Sequence, residues 1–379
     1  MRIYLDHNAT TPVRPEVGEA MAAALRERWG NPASVHAEGA AARSALERAR
    51  EQVAELVGAA PREVFFTSGA TEANNWALRG ALANGRGRHV VTTTIEHPSV
   101  EEPLRALEAG GVAVTRVGVD AEGRLDPDAV AAALRDDTAL LSVILANNET
   151  GVVQDAAKLA DLAHARGVPL HLDATQAVGK VAVDAVALGA ELLTGSAHKL
   201  NGPKGAGFLV DRSRTPLPAW LQGGPQERGR RGGTENVAGV VGLGVACALA
   251  GAELDERRRR VAALRDALWR GIEAQVPRVR RNGAAAHALP NTLSVEFAGL
   301  AGDVLLEALD LEGVAVSTGA ACHSGSIEPS PVLLAMGRSE AAARGTLRFS
   351  LGPSNTAAEI ERVLELLPRL VARVREAGA

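Results

Sequence analysis

Short apolar runs alternate with Ala-rich amphipathic segments from residue 16 to about residue 250. The runs have the length of buried strands, and the amphipathic segments have the spacing of helices. Strands separated by helices predict an α/β fold whose mostly parallel central sheet is covered by helices on both faces. The predicted strands are EVFFT, HVVTT, VAVTRV, ALLSVIL, PLHLDA, ELLTGS and GAGFLV.

The pattern changes in the segment VAGVVGLGVACALAGAELDERRRRVAALRDALWRGIEA, which predicts a long helix or a pair of helices. Its first half is apolar and its second half is strongly charged, so a domain boundary is expected midway. Beyond it, NTLSVEF, GVAVST and TLRFSL predict strands between helices, as in a smaller α+β domain. We expect a large domain at residues 14–252 and a small domain at residues 1–13 and 253–379.

Composition narrows the class of protein. A length of 379 residues suits two domains, and a hydrophobic fraction of 46% suffices for a large core. The net charge of −4 and the lack of a long basic run argue against nucleic acid or an anionic membrane as a partner. No stretch resembles a signal peptide or a membrane span, so we expect a cytoplasmic protein that binds small molecules. No metal site is expected.

In sheets of this kind, ligands bind beyond the C-terminal ends of the strands, where loops meet helix N-termini. SGATEANN, residues 68–75, follows a predicted strand and begins a helix. Free backbone N–H groups and the Thr71 hydroxyl at such a place suit an anion such as phosphate. An ordinary capped helix gives the same pattern, so both interpretations stay open for this stretch alone.

Asp173 ends the run VPLHLD, where sheet packing should bury the neighbouring residues. A carboxylate there needs a partner, because an unpaired buried charge is unfavourable or shifts its pKa. An arginine or a helix N-terminus would be an ordinary structural partner. A functional partner would be the protonated ring nitrogen of pyridoxal phosphate, which an Asp keeps charged.

The chain has four lysines, and their surroundings differ. Lys158 lies between the apolar positions of a predicted helix, so we expect it on the solvent-exposed face. Lys180 follows a Gly and precedes VAVD, which indicates a loop or a strand edge. Lys204 lies in the turn GPKG. Lys199 directly follows ELLTGSAH at the end of a predicted buried strand, where desolvation would lower its pKa, as a Schiff-base lysine needs. A phosphate site, a buried acid and a strand-end lysine together predict a pyridoxal phosphate enzyme.

The two cysteines, Cys247 and Cys322, are far apart, which suits a reducing compartment without a disulfide framework. Cys247 lies in GLGVACALAG, a small-residue helix, and is expected to be a packed core thiol. Cys322 lies in the Gly/Ser-rich run VSTGAACHSGSIEPS beside His323, which makes it a candidate nucleophile. A chance surface cysteine is the alternative.

Several of these residues stand in sequence blocks that follow a fixed order along almost the whole chain. The blocks are YLDHNATTP, GNPAS, FTSGATEANN, EHPSV, NNETGVVQD, LDATQAVGK, SAHKLNGPKG, GGPQERGRRGGTEN, STGAACHSGS and LRFSLG. In them the chain resembles the cysteine desulfurases of the class V, fold type I pyridoxal phosphate enzymes. The resemblance implies that fold, a pyridoxal 5'-phosphate cofactor and a homodimer with shared active sites.

The resemblance also implies a role for each matching residue. Lys199 would hold the cofactor covalently, Asp173 would pair with the pyridine nitrogen, and His97 would stack on the ring. Cys322 matches the catalytic cysteine. The remaining implied contacts are Gln176 and Asn148 near the ring hydroxyl; Ala70, Thr71, Ser196 and His198 at the phosphate, with Thr234 from a second subunit; and Arg348 with Asn31 at the substrate carboxylate.

The implied reaction converts L-cysteine to L-alanine. Lys199, displaced by the substrate, would remove the Cα proton, and the Cys322 thiolate would attack the substrate sulfur. The resulting persulfide would pass its sulfur to an acceptor protein for iron–sulfur cluster assembly or for tRNA or cofactor thiolation. Ala320 stands where many members of the family carry serine, and the chain stops soon after its last predicted helix, so the acceptor stays open.

Four other functions compete with this hypothesis. A selenocysteine lyase or a class V aminotransferase would keep the cofactor, although an aminotransferase would not need Cys322. A homologue that binds a partner and has lost catalysis would have no reason to retain Lys199, Asp173, His97, Cys322 and Arg348 together. A nicotinamide-dependent dehydrogenase is disfavoured because no Gly-x-Gly-x-x-Gly follows the first strand.

Overall fold

The computed structural model describes residues 2–84, 87–319 and 328–377. Its strands are β1 (Ile3–Tyr4), β2 (Val64–Thr67), β3 (His89–Thr93), β4 (Ala113–Val117), β5 (Thr138–Ile144), β6 (Leu170–Asp173), β7 (Leu192–Ser196), β8 (Gly207–Asp211), β9 (Val279–Asn282), β10 (Thr292–Phe297), β11 (Val314–Ala315) and β12 (Thr346–Ser350). Its helices are α1 (Pro15–Glu27), α2 (Ala37–Val57), α3 (Ala70–Ala83), α4 (Pro98–Ala109), α5 (Pro127–Ala133), α6 (Ala156–Ala165), α7 (Gln226–Gly229), α8 (Val237–Ala252), α9 (Leu254–Gln275), α10 (Gly302–Leu311), α11 (Pro331–Ala335), α12 (Glu340–Arg344) and α13 (Ala357–Ala377).

Seven strands form the large sheet, in the order β2-β8-β7-β6-β5-β3-β4. The pairs from β7 through β6, β5 and β3 to β4 are parallel, and β8 is antiparallel to both of its neighbours. All seven strands overlap the apolar runs that the sequence identifies. The prediction of a mostly parallel α/β sheet is confirmed.

Helices cover both faces of this sheet. Successive strand residues point to opposite sides, so neighbouring residues of one strand belong to different apolar clusters. Val91 and Leu141 belong to a large apolar cluster with residues of α2, α6 and α8, whereas Val90 and Leu140 belong to a second cluster with α3 and α4. Every residue of β5 is buried. A strand buried on both faces appears in the sequence as a continuous apolar run, which explains why ALLSVIL predicts it.

A separate apolar core forms around the smaller sheets, β12-β10-β9 and β1-β11. Ile3 and Leu5 pack in it with residues of α9, α10 and α13, so the start of the chain joins its last third. The sequence pattern misses β9, because its residues alternate between partly buried and exposed and include two arginines. The domain boundaries expected above stay a prediction.

The predicted helix pair is confirmed as α8 and α9, which are bent by 75° at Glu253. The apolar α8 packs in the large core and the charged α9 faces the small one. Within the described residues, no single helix is both long and apolar enough to cross a membrane, and this bent pair meets the length and composition test only when joined.

Candidate active site

A cavity of about 530 Å³ opens beyond the C-terminal ends of β2, β3, β5, β6 and β7. Parallel strands bring these ends to one edge of the sheet, where loops meet helix N-termini. The cavity brings together residues that are far apart in sequence. Its lining includes the predicted site residues Ala70, Thr71, His97, Asn148, Asp173, Gln176, Ser196, His198, Lys199 and Arg348.

Asp173, the last residue of β6, is buried and accepts two hydrogen bonds. Asn74 Nδ2 donates to its Oδ2 at 2.9 Å, and the Thr175 backbone N–H donates to its Oδ1 at 3.0 Å. These partners are neutral, and Asp173 has no salt bridge among the described residues. The hydroxyl of Thr175 is also buried and unpaired within the described chain, although Thr175 lines the cavity. The carboxylate therefore suits a cationic ligand group.

His97 stands at the N-cap of α4, and its ring lines the same cavity. Its Nδ1 accepts a hydrogen bond from the Ser99 backbone N–H at 3.1 Å, so the hydrogen of the neutral ring lies on Nε2. Burial lowers the pKa of His97 and the charge of Lys199 lowers it further, while Asp173 raises it. His97 is therefore neutral at pH 7 and presents an N–H donor rather than a lone pair.

Lys199 follows β7 in a single helical turn. Its Nζ lies 2.7 Å from the backbone oxygens of Asn8 and of Ala9. The N-terminal segment therefore orients Lys199, the candidate catalytic residue. Lys204, three residues before the start of β8, lies in an exposed turn, as predicted, and also borders the cavity.

The N-terminus of α3 also borders the cavity. Ala70 and Thr71 begin this 14-residue helix, and no side chain caps it. Uncapped N–H groups and the helix dipole favour a bound anion. His198 lines the same cavity, and burial together with the charges of Lys199 and Lys204 lowers its pKa to about 4. The region has the donors that a phosphate group requires.

Arg348 lies on β12 and reaches the cavity from the smaller core. It is buried, and its Nη2 forms a 2.7 Å salt bridge with Asp6 while its Nη1 donates to the Asn148 carbonyl at 3.0 Å. A guanidinium has five N–H donors. Its Nε has no partner among the described residues. Donors therefore remain for the carboxylate of a small ligand.

Comparison with known proteins agrees with this geometry. The sequence matches the family model for class-V aminotransferases over residues 3–363. The chain belongs to the class-V aminotransferase family. A cysteine desulfurase IscS of Dictyoglomus turgidum is 44% identical over 375 residues, covering 98% of this chain and 95% of that protein. Within the class-V family the chain is a cysteine desulfurase, and enzymes of this kind depend on pyridoxal phosphate.

Two solved structures have the same fold as this class-V enzyme. A NifS-like protein matches with a TM-score of 0.93 and 36% identity, over 98% of this chain and 100% of that one. A structure described as SspA in complex with cysteine matches with a TM-score of 0.83 and 34% identity, over 94% and 100% of the respective chains. The implied fold type I architecture is thereby confirmed.

Three predicted site residues of this class-V enzyme are not part of the described cavity lining. Asn31 is exposed, and its Oδ1 accepts a hydrogen bond from the Ala33 backbone N–H. Thr234 is also exposed on its own chain, away from the cavity lining. Cys322 lies in residues 320–327, outside the described residues, while Gly319 just before it lines the cavity. The roles of these three residues stay predictions.

Lys180 lies in the turn after β6, which agrees with the loop position expected from the sequence. Its burial is not expected from the sequence: this lysine is only 7% exposed, and its Nζ donates to Asn8 and Gln176 side-chain oxygens. Three other residues that the class-V motifs contain but the sequence analysis passes over are Asn8, Asn74 and Ser99. The signal that could have identified them is that each is a polar residue within one of the family's sequence blocks. By contrast, Cys247 is fully buried in the large core, as predicted.

Proposed function

We propose that this cysteine desulfurase binds pyridoxal phosphate in the cavity through Lys199 and Asp173, and that Cys322 takes the sulfur of L-cysteine. The observation that carries the proposal is the placement of a lysine, a buried carboxylate and an uncapped helix N-terminus around one cavity. These three features match the aldehyde, the ring nitrogen and the phosphate of the cofactor. No described residue of the set conflicts with that fit.

Different residues of the cavity lining suit different parts of the cofactor. The phosphate would be held by Ala70, Thr71, Ser196 and His198, the ring nitrogen by Asp173, and the ring face by His97. Thr175, whose buried hydroxyl has no partner among the described residues, adds a donor on the same side as Asp173. When bound, pyridoxal phosphate supplies an electron sink for the bonds to the substrate Cα.

The chain's own residues bind and orient the substrate. The guanidinium of Arg348 would hold the carboxylate of L-cysteine, because its planar donors fit a carboxylate. Lys199 would take the proton from Cα, since its Nζ is oriented by two backbone oxygens at 2.7 Å. His97 would keep an Nε2 hydrogen toward the ligand and would serve as a donor.

The sulfur transfer needs a thiolate, and Cys322 is the proposed nucleophile. A bond forms between Cys322 Sγ and the substrate sulfur, and the substrate bond between Cβ and sulfur breaks. The sulfur stays on Cys322 as a persulfide, while Cβ takes up a proton and leaves in L-alanine. The thiol hydrogens of enzyme and substrate balance the persulfide hydrogen and the new C–H bond.

The partners follow from this reaction. We propose a homodimer in which Thr234 completes the phosphate site of the partner, a role supported by its exposed position on its own chain. A sulfur-acceptor protein would consume the persulfide, in iron–sulfur cluster assembly or in tRNA or cofactor thiolation. A cytoplasmic location suits the reaction, because a reducing compartment keeps Cys322 available.

The selenocysteine lyase is the second candidate, since it would use the same residues. The structure titled SspA in complex with cysteine favours cysteine as the substrate class of such a fold. An aminotransferase is less favoured because its reaction would not use Cys322 in the STGAACHSGS block. Relative rates with L-cysteine, L-selenocysteine and an amino acid plus a keto acid would separate the three.

The decisive experiment is an anaerobic incubation of the purified, cofactor-loaded protein with L-cysteine. We expect L-alanine to form and the Cys322 peptide to gain the mass of one sulfur atom. Cys322→Ser should yield neither product in repeated turnover, whereas Cys247→Ala, the matched control at the buried cysteine, should retain both. Bound cofactor without alanine or persulfide would contradict the proposal.

A further inference from the structure

Lys180 is a buried amine next to the cavity that the proposed reaction does not use. It follows the turn after β6, and its Nζ donates to Asn8 Oδ1 at 3.1 Å and to Gln176 Oε1. Both acceptors are neutral carbonyl oxygens, and Lys180 has no salt bridge with a carboxylate within the described part of the chain. A buried lysine in this setting requires an explanation other than ion pairing.

The orientation of the Gln176 carboxamide follows from its other contact. Gln176 Nε2 donates to the Asn8 backbone oxygen at 2.9 Å, and a carbonyl oxygen can only accept. The Oε1 of Gln176 must therefore face Lys180, which offers a donor. An amide nitrogen has two hydrogens, and one is used by Asn8, so the second is available to a ligand in the cavity that Gln176 lines.

The orientation of Asn8 is fixed in the same way. Its Nδ2 donates to the Asn148 carbonyl at 3.0 Å, which leaves its Oδ1 for Lys180 and for Asn291 Nδ2. The backbone oxygen of Asn8 is also the acceptor for Lys199 Nζ. One buried network therefore connects Lys180 to the residues that border the cofactor cavity.

We propose that Lys180 is a positioning residue that fixes the Gln176 carboxamide, so that Gln176 presents an N–H donor to the bound cofactor. This inference rests on the function proposed above. A donor at that position suits an anionic ring oxygen, whereas a carbonyl oxygen there would repel it. Lys180 itself acts through Gln176 and does not touch the ligand.

The charge of Lys180 agrees with this role. Burial lowers its pKa well below the ordinary value, and the positive charges of Lys199, Arg257 and Arg348 lower it further. The two carbonyl acceptors each take one N–H of the Lys180 amine. Methionine keeps the unbranched apolar stem of lysine, so Lys180→Met is a small change of shape for the core.

A double-mutant cycle tests the proposal. The full-length protein is stripped of cofactor and titrated with pyridoxal phosphate, as wild type, Lys180→Met, Gln176→Leu and the double variant. We expect Lys180→Met to weaken binding about tenfold in the wild-type background and less than about threefold in the Gln176→Leu background, because the lysine acts through the amide. The exposed Lys158→Met is the matched control and should bind as the wild type does.

The possible results distinguish the proposed role of Lys180 from the proposed function of the protein. An equal loss in both backgrounds, or no loss in either, overturns the role of Lys180 and leaves the proposed function intact. A wild type that does not bind pyridoxal phosphate overturns the proposed function itself. Thermal unfolding of the stripped proteins shows whether the fold is affected; where Lys180→Met fails to fold, Lys180→Leu provides the same cycle with another apolar shape.

Discussion

The side-chain nitrogen of Asn74 lies 2.9 Å from Oδ2 of Asp173, and both atoms are buried. The same nitrogen donates to the Ser99 hydroxyl, which lies 2.9 Å from Nδ1 of His97. The Asn74 oxygen accepts a hydrogen bond from Thr194. One asparagine in the N-terminal half of α3 therefore orients both the carboxylate and the imidazole that border the cofactor cavity.

Replacing Asn74 by Ala should weaken cofactor binding and lower stability. The change leaves an Asp173 oxygen and the Thr194 hydroxyl without their partner, and an unsatisfied buried polar group costs about 1–3 kcal/mol. We expect a lower Tm and roughly tenfold weaker binding of pyridoxal phosphate, since 1.4 kcal/mol is about a factor of ten. Asn75→Ala, at a side chain that donates to the Thr71 carbonyl, is the control. Equal effects of the two changes would refute the role of Asn74.

Lys199→Ala should abolish the visible absorbance of lysine-bound cofactor, because that lysine is the proposed covalent attachment. Lys204→Ala should retain the absorbance, since Lys204 lies in an exposed turn at the cavity border. Borohydride reduction followed by mass spectrometry of the peptides identifies the modified residue directly. Cofactor found on Lys204 would reverse the assignment.

Arg348→Lys should raise KM for L-cysteine about tenfold with a smaller change in kcat, because an ammonium cannot make the planar, paired contacts of a guanidinium. The charge that pairs with Asp6 is retained, so the fold should remain stable. Steady-state kinetics and thermal unfolding measure both effects. Arg369→Lys, at an exposed pair with Glu312, serves as the control and should change neither KM nor Tm.

Stability should fall as the pH falls from 7 to 5, in part through His171. This buried ring lies 2.8 Å from the Ser142 hydroxyl, and burial lowers its pKa from 6.5 to about 4 although Asp173 raises it. Between these two pKa values the unfolded chain binds a proton that the native protein does not, so acid favours unfolding. At pH 5 the contribution is on the order of 1–2 kcal/mol.

Urea denaturation of the wild type and of His171→Asn at both pH values isolates that contribution. The asparagine does not titrate, so its free energy of unfolding should decrease less between pH 7 and pH 5. Identical decreases in the two proteins would mean that the pKa of His171 is the same in the native and unfolded states, and would contradict the prediction.

Six strands of the large sheet are predictable from sequence because every residue in them is buried and most are apolar. The seventh, β4, is mostly exposed or partly buried, and it is predictable from its β-branched residues. The strand-end positions of Asp173 and Lys199 follow from the same pattern. The burial of Lys180 could not be predicted in this way, because the N-terminal segment that contacts it lies more than 160 residues away in the chain. Asn74 and Ser99 likewise depend on contacts across α3, α4 and β6. Such networks arise from tertiary packing, and local periodicity does not record them.

The salt bridge between Asp6 and Arg348 joins residues that are 342 positions apart in the chain. The segment that orients Lys199 is therefore made before the large sheet, whereas β12, the strand that secures this segment, is made after the large sheet. Contacts of such long separation form late, because the entropy of closing the loop has to be overcome first. A nascent chain that has already folded its large sheet would still lack one wall of the cavity, and the enzyme would become competent to bind its cofactor only after β12 has been made and has paired with the N-terminal segment.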